Sequence, residues 1–81
     1  MLEIKVLGTG CPNCIRLEEL CREVTGDLGI EASIEKITDL NAFGNYNVFL
    51  TPGLVVNGKV LSQGKLPTKT TLLSWLLKAA L

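Results

Sequence analysis

Apolar and polar positions alternate from the start of the chain, with Leu2, Ile4 and Val6 set against Glu3 and Lys5. A period of two marks a half-buried strand, so Leu2–Leu7 is predicted as the first strand. Gly8-Thr9-Gly10 breaks it. The period then lengthens: Leu17, Leu20, Cys21, Val24 and Leu28 recur at helical spacing. Pro12 fits the first helical position, where a missing N–H costs nothing. Gly29 suits the left-handed residue that follows a helix, so the first helix is predicted over 12–28. Gly26 weakens its last turn, and Glu18 and Arg22 form a favourable i,i+4 pair on another face.

Glu31 to Ile37 reads as a strand of mixed polarity, the pattern of a sheet edge. Thr38 or Asp39 caps a short second helix through about Asn45, ended by Gly44, Asn45 and Asn47. Pro52-Gly53 opens a third strand, Leu54–Val56. Asn57-Gly58 is a strong hairpin signal for a type I′ turn, and Val60-Leu61 lies in the returning strand. Gly64 ends that strand, Thr68 caps the last helix, and Thr70 to Leu81 completes it. The predicted order is β-α-β-α-β-β-α. The crossover makes the first two strands parallel, the tight hairpin makes the last two antiparallel, and the helices of such a mixed sheet cover both faces. At 81 residues this is one α/β domain, without repeat, low-complexity segment or linker.

Composition narrows the function. The apolar fraction is 47%, but the aromatics are only Phe43, Tyr46, Phe49 and Trp75, so the core is mostly aliphatic. Eight basic residues balance eight acidic ones, which leaves no surplus for nucleic-acid binding. Every acid lies between Glu3 and Asp39, and beyond them the charges are Lys59, Lys65, Lys69 and Lys78. That layout is either an ordinary solvated surface or a dipole that steers a charged partner. No apolar run approaches the ~18 residues of a membrane span, and Met1–Leu7 is too short and too charged for a signal peptide. A reducing cytoplasm is the expected compartment. The chain has no histidine, which removes Ser-His-Asp and Cys-His catalysis and mixed Cys/His zinc sites. Three cysteines cannot complete a four-sulfur zinc site, and an odd count argues against a secreted disulfide scaffold. Neither cofactor nor metal is expected.

Cys11-Pro12-Asn13-Cys14 carries the chemistry. The pair follows a strand and opens a helix, where the N-terminal dipole stabilises a thiolate. As a mere crosslink so short a loop contributes only about 2 kcal/mol, and a reducing compartment opens it. The redox reading is therefore preferred to the structural staple. Cys21 lies two helical turns beyond Cys14 among Leu17, Leu20 and Val24, and reads as a small buried hydrophobe. Trp75, in a leucine-rich helix, also reads as core.

Gly8-Thr9-Gly10-Cys11-Pro12-Asn13-Cys14, then Gly29, Thr51-Pro52-Gly53, the Asn57-Gly58 hairpin and Gly64 together resemble the small thioredoxin-like redox-active disulfide proteins, a glutaredoxin-like family. The resemblance covers essentially the whole chain. It implies a minimal thioredoxin fold, a four-stranded mixed sheet flanked by three helices. It also implies a cis Thr51-Pro52 bond facing the disulfide, although sequence statistics alone favour trans. Thr51 would then offer its backbone edge to an extended substrate chain, with Gly10, Pro12, Asn13 and Pro52 as the other substrate-contacting candidates. Gly10 stands where thioredoxin has a tryptophan before its first cysteine. Lys5 stands where thioredoxins bury an acid. Lys5 either helps hold Cys11 as thiolate or snorkels to solvent.

The expected activity is thiol–disulfide exchange on a protein or low-molecular-weight disulfide, with Cys11 attacking and Cys14 resolving. An unidentified reductase would recharge the pair. The expected state is a monomer, or a weak dimer through the apolar helix at 70–81. A soft-metal carrier is the alternative, since the same loop resembles the Cys-x-x-Cys loop of heavy-metal-associated domains and two thiolates suit Cu(I) or Zn. A non-catalytic interaction module on this fold is a third reading.

Overall fold

The computed structural model describes all 81 residues. β1 (Leu2–Leu7), β2 (Ala32–Ile37), β3 (Gly53–Val56) and β4 (Lys59–Gln63) form one sheet, in the order β2-β1-β3-β4. β1 is central because both of its faces carry apolar side chains. Leu2, Ile4 and Val6 enter the larger core cluster, and Leu7 enters the smaller one. β2 runs parallel to β1 with Leu2 opposite Ala32 and Leu7 opposite Ile37. It is an edge strand, as its mixed polarity predicts. β3 runs antiparallel to β1, with Ile4 opposite Val56 and Leu7 opposite Gly53.

α1 (Pro12–Leu28) and α3 (Lys69–Ala80) cover one face. Leu17, Leu20, Cys21 and Val24 of α1 and Leu72 and Leu76 of α3 meet Ile4, Val6, Leu54 and Val56 there. Two ion pairs tie the helices at their rim, as Lys69 Nζ lies 2.7 Å from Glu23 Oε1 and 3.0 Å from Asp27 Oδ2. The opposite face is closed by Phe43 and Val48 over Leu7 and Val55. Phe43 ends α2 (Leu40–Phe43), whose N-cap Asp39 accepts from the Asn41 N–H at 2.9 Å. The second helix was predicted through about Asn45. The α-helix instead stops at Phe43, a 3-10 turn covers Gly44–Tyr46, and Asn47 follows with φ at 60°. Glycine and asparagine favour such tight, left-handed exits.

The remaining boundaries sit where local chemistry sets them. Gly29 caps α1 with φ at 66° and donates to the Gly26 carbonyl at 3.2 Å. Thr68 caps α3 by accepting from the Thr71 N–H. Asn57 and Gly58 both take positive φ, 52° and 82°, as a type I′ turn requires. Trp75 is half buried against the larger core cluster, less enclosed than predicted, while Cys21 is fully buried within it. No helix is long and apolar enough to cross a membrane.

Candidate active site

β1 delivers the chain to the site and Gly8-Thr9-Gly10 turns it. The Gly8 N–H still holds the sheet, donating to the Ile37 carbonyl at 2.9 Å. Gly10 takes φ at 91° in open space, so it serves conformation alone. Gly8 serves clearance. A Cβ there would overlap Cys14 Sγ and stand 2.8 Å from Cys14 Cβ. Gly8 heads the motif that carries the resemblance, but sequence reasoning gave a site role to Gly10 and none to Gly8. The available signal was a second glycine, at the end of a strand, just ahead of a cysteine pair.

Cys11 is the N-cap of α1, with φ at −65° and ψ at 160°. Its Sγ accepts from the Cys14 N–H at 3.1 Å, and its carbonyl accepts from the Ile15 N–H at 3.0 Å. Pro12, first in the helix, has no N–H to leave orphaned. No acidic residue stands in the first turn to oppose negative charge. Cys11 and Cys14 are joined as a disulfide, with Cα atoms 5.0 Å apart. The two sulfurs differ in access. Cys11 is half buried beside exposed Gly10, Pro12 and Asn13, while Cys14 is only 1% exposed.

The antiparallel register sets Gly53 opposite Leu7, which brings the Thr51-Pro52 segment to the same end of the sheet as the Gly8–Gly10 turn. The Thr51-Pro52 bond is cis. Pro52 is buried, and its carbonyl accepts from the Gly64 N–H at 3.0 Å. Thr51 is exposed, and neither its N–H nor its carbonyl has a backbone partner within the chain. Beside it, Gln63 Oε1 accepts from the N–H groups of Phe49 and Leu50, at 2.7 and 3.2 Å. Lys5 lies on β1, between Glu35 of β2 and Val55 of β3 in the ladder. It is half buried, with Nζ 3.5 Å from Oε1 of Glu35, its partner across the parallel ladder. Cys21 takes no part in this cluster. It stays in the core, where burial pushes its thiol up to about 12.

The sheet ends in a hairpin followed by a helix, not in the helix-then-strand order of heavy-metal-associated domains. The thioredoxin domain family matches residues 2–77. A thioredoxin of Methanocaldococcus jannaschii is 38% identical over 68 residues, spanning 84% of this chain and 78% of that protein. A thioredoxin of Methanothermobacter thermautotrophicus is 38% identical over 69 residues, spanning 85% and 90%. Among solved structures, thioredoxin-2 of a malaria parasite, described as a component of its protein secretion machinery, superposes with a TM-score of 0.70. That likeness covers 96% of this chain and 82% of the other at 14% identity, and is one of fold. Since the match of sequence runs through both cysteines, the cis-proline segment and most of the final helix, this chain belongs to the thioredoxin domain family and is a thiol–disulfide oxidoreductase.

Proposed function

We propose that Cys11 is the attacking thiolate and Cys14 the resolving thiol of a protein-disulfide reductant. The unequal access of the two sulfurs carries this reading, because a partner can approach half-buried Cys11 and not Cys14. In the reduced protein the Cys11 thiolate attacks one sulfur of the partner's disulfide. That S–S bond breaks, its electron pair goes to the leaving sulfur, and a mixed disulfide with Cys11 forms. Cys14 then gives up its proton and attacks Cys11 Sγ. The second partner thiol leaves and the Cys11–Cys14 disulfide closes. The partner gains two electrons, with one proton from Cys14 and one from solvent, and a dithiol reductase must return the two electrons to this protein. Run backwards, the same steps oxidise a dithiol.

The Cys14 N–H and the α1 dipole favour the Cys11 thiolate over the thiol. Lys5 contributes only through its charge, which Glu35 largely answers. The client lies extended along Thr51, whose free N–H and carbonyl act as one more strand position. A disulfide within an extended segment of a folded protein, or in a peptide, fits this edge. Mixing the Cys14→Ser variant with an oxidised client should accumulate a covalent complex through Cys11, released by dithiothreitol. Cys11→Ser should neither trap nor reduce. Trapping through Cys14 in a Cys11→Ser variant would reverse the assignment.

A further inference from the structure

Gln63 makes a specific polar contact away from the sulfurs. Its Oε1 takes the N–H groups of both Phe49 and Leu50, and neither amide has a backbone acceptor. Burial does not hold this segment, since Phe49 is 78% and Leu50 60% exposed. Two further contacts come from the same strand end. The Gly64 N–H donates to the Pro52 carbonyl, and Gly64, with φ at 73°, packs so close to Leu50 that an added Cβ would stand 3.0 Å from Leu50 Cβ.

Which side chain reaches this segment is decided earlier in the β3–β4 ladder. Val56 faces Lys59 and Val55 faces Val60, but Leu54 faces Ser62. Leu61 is the extra residue of a β-bulge, a feature that can re-aim a side chain next to an active site. Leu61 packs on the α1–α3 core, the same face to which Leu54 belongs. Gln63 consequently falls opposite Gly53, on the face where Gly53 approaches Val48. Without the bulge Leu54 would face Leu61, and Ser62 would fall opposite Gly53. Gln63 would then point to the other face, and a serine hydroxyl is too short to reach two loop amides.

We propose that Gln63 is a positioning residue for client binding: its carboxamide oxygen, aimed by the bulge at Leu61, fixes Phe49-Leu50 so that the Thr51 edge stands ready for an extended client chain. The inference rests on the reading of Thr51 as the client-pairing edge. Gln63 touches no reacting atom. Losing two neutral hydrogen bonds that order this edge corresponds to about a tenfold weaker client affinity.

The test compares reduction of a disulfide-bonded peptide with reduction of 2-hydroxyethyl disulfide, which has no backbone to pair. Gln63→Ala should raise KM for the peptide about tenfold, while leaving kcat and the small-disulfide rate within about twofold. Gln63→Glu keeps an acceptor oxygen at the same reach and should restore the peptide KM. Amide exchange should quicken at Phe49 and Leu50 in the alanine variant and not in the glutamate one. Should Gln63→Ala fail to fold, Gln63→Met, which keeps the bulk without the acceptor, takes its place. An unchanged peptide KM in the variant lacking the acceptor overturns the inference, as does an equal loss on both substrates. A wild-type protein that reduces the small disulfide but not the peptide would instead overturn the Thr51 reading itself.

Discussion

A methyl group at position 8 has nowhere to go, because the space it needs is filled by the Cys14 sulfur. Cys14 in turn is only 1% exposed. Gly8→Ala should therefore destabilise the protein by about 1–3 kcal/mol, the usual range for overpacking. Urea denaturation measures this, and an unchanged midpoint would mean that Cys14 is free to move aside. Cys21 makes a prediction in pH. Burial, with the Glu18 charge adding and Arg22 opposing, raises its thiol from the ordinary cysteine range to about 12. The folded protein thus keeps a proton that the unfolded chain has already released. The stability this provides is full below about pH 9 and is lost as pH rises from about 9 towards 12, by at most about 1.4 kcal/mol per pH unit. Cys21→Ala, though less stable at neutrality, should show the shallower decline between pH 9 and 11. Parallel declines for the two proteins would remove Cys21 as the titrating group.

At the scale of elements, boundaries set by a single residue's chemistry were legible in the sequence, and those set by pairing were not. Pro12 and Gly29 mark α1 because one has no N–H to satisfy and the other accepts φ at 66°. Gly29→Ala should accordingly cost about 1–2 kcal/mol, the penalty for a left-handed L-residue. A thermal midpoint equal to wild type would show that the last turn of α1 relaxes freely. Thr68 and Asn57-Gly58 were readable for the same local reasons. α2 was read as longer than it is, because nothing in the Leu40–Tyr46 sequence separates an α-helical turn from a 3-10 turn. β4 was read as a strand through Val60-Leu61 that Gly64 ends, and it does run Lys59–Gln63. Which face Gln63 takes was not legible, because it depends on the bulge at Leu61, which exists only once β3 lies alongside. The role of Gln63 was hidden with it, since a polar residue at a strand end carries no signal of which loop it will meet.

In the whole molecule, one sheet register collects pieces far apart in the chain. Leu7 opposite Gly53 sets the turn into the cysteine pair against the segment that carries Thr51 and Pro52. The cysteine pair itself was legible because its spacing and its place between strand and helix already put its first sulfur at a helix N-terminus. The clearance at Gly8 was not, because it depends on how α1 lies against β1. Charge follows the same division. Glu23 and Asp27 of α1 pair with Lys69 of α3 at the rim, and the first turn of α1 carries no carboxylate. The proposed function rests on one physical claim, that the reduced protein holds Cys11 as a thiolate near neutral pH. The rate of iodoacetamide alkylation of the reduced protein against pH, with the modified cysteine mapped at each point, tests it directly. Modification should fall on Cys11, with a midpoint below the free-cysteine value of about 8.5. A midpoint at or above that value, or first modification at Cys14, would contradict it.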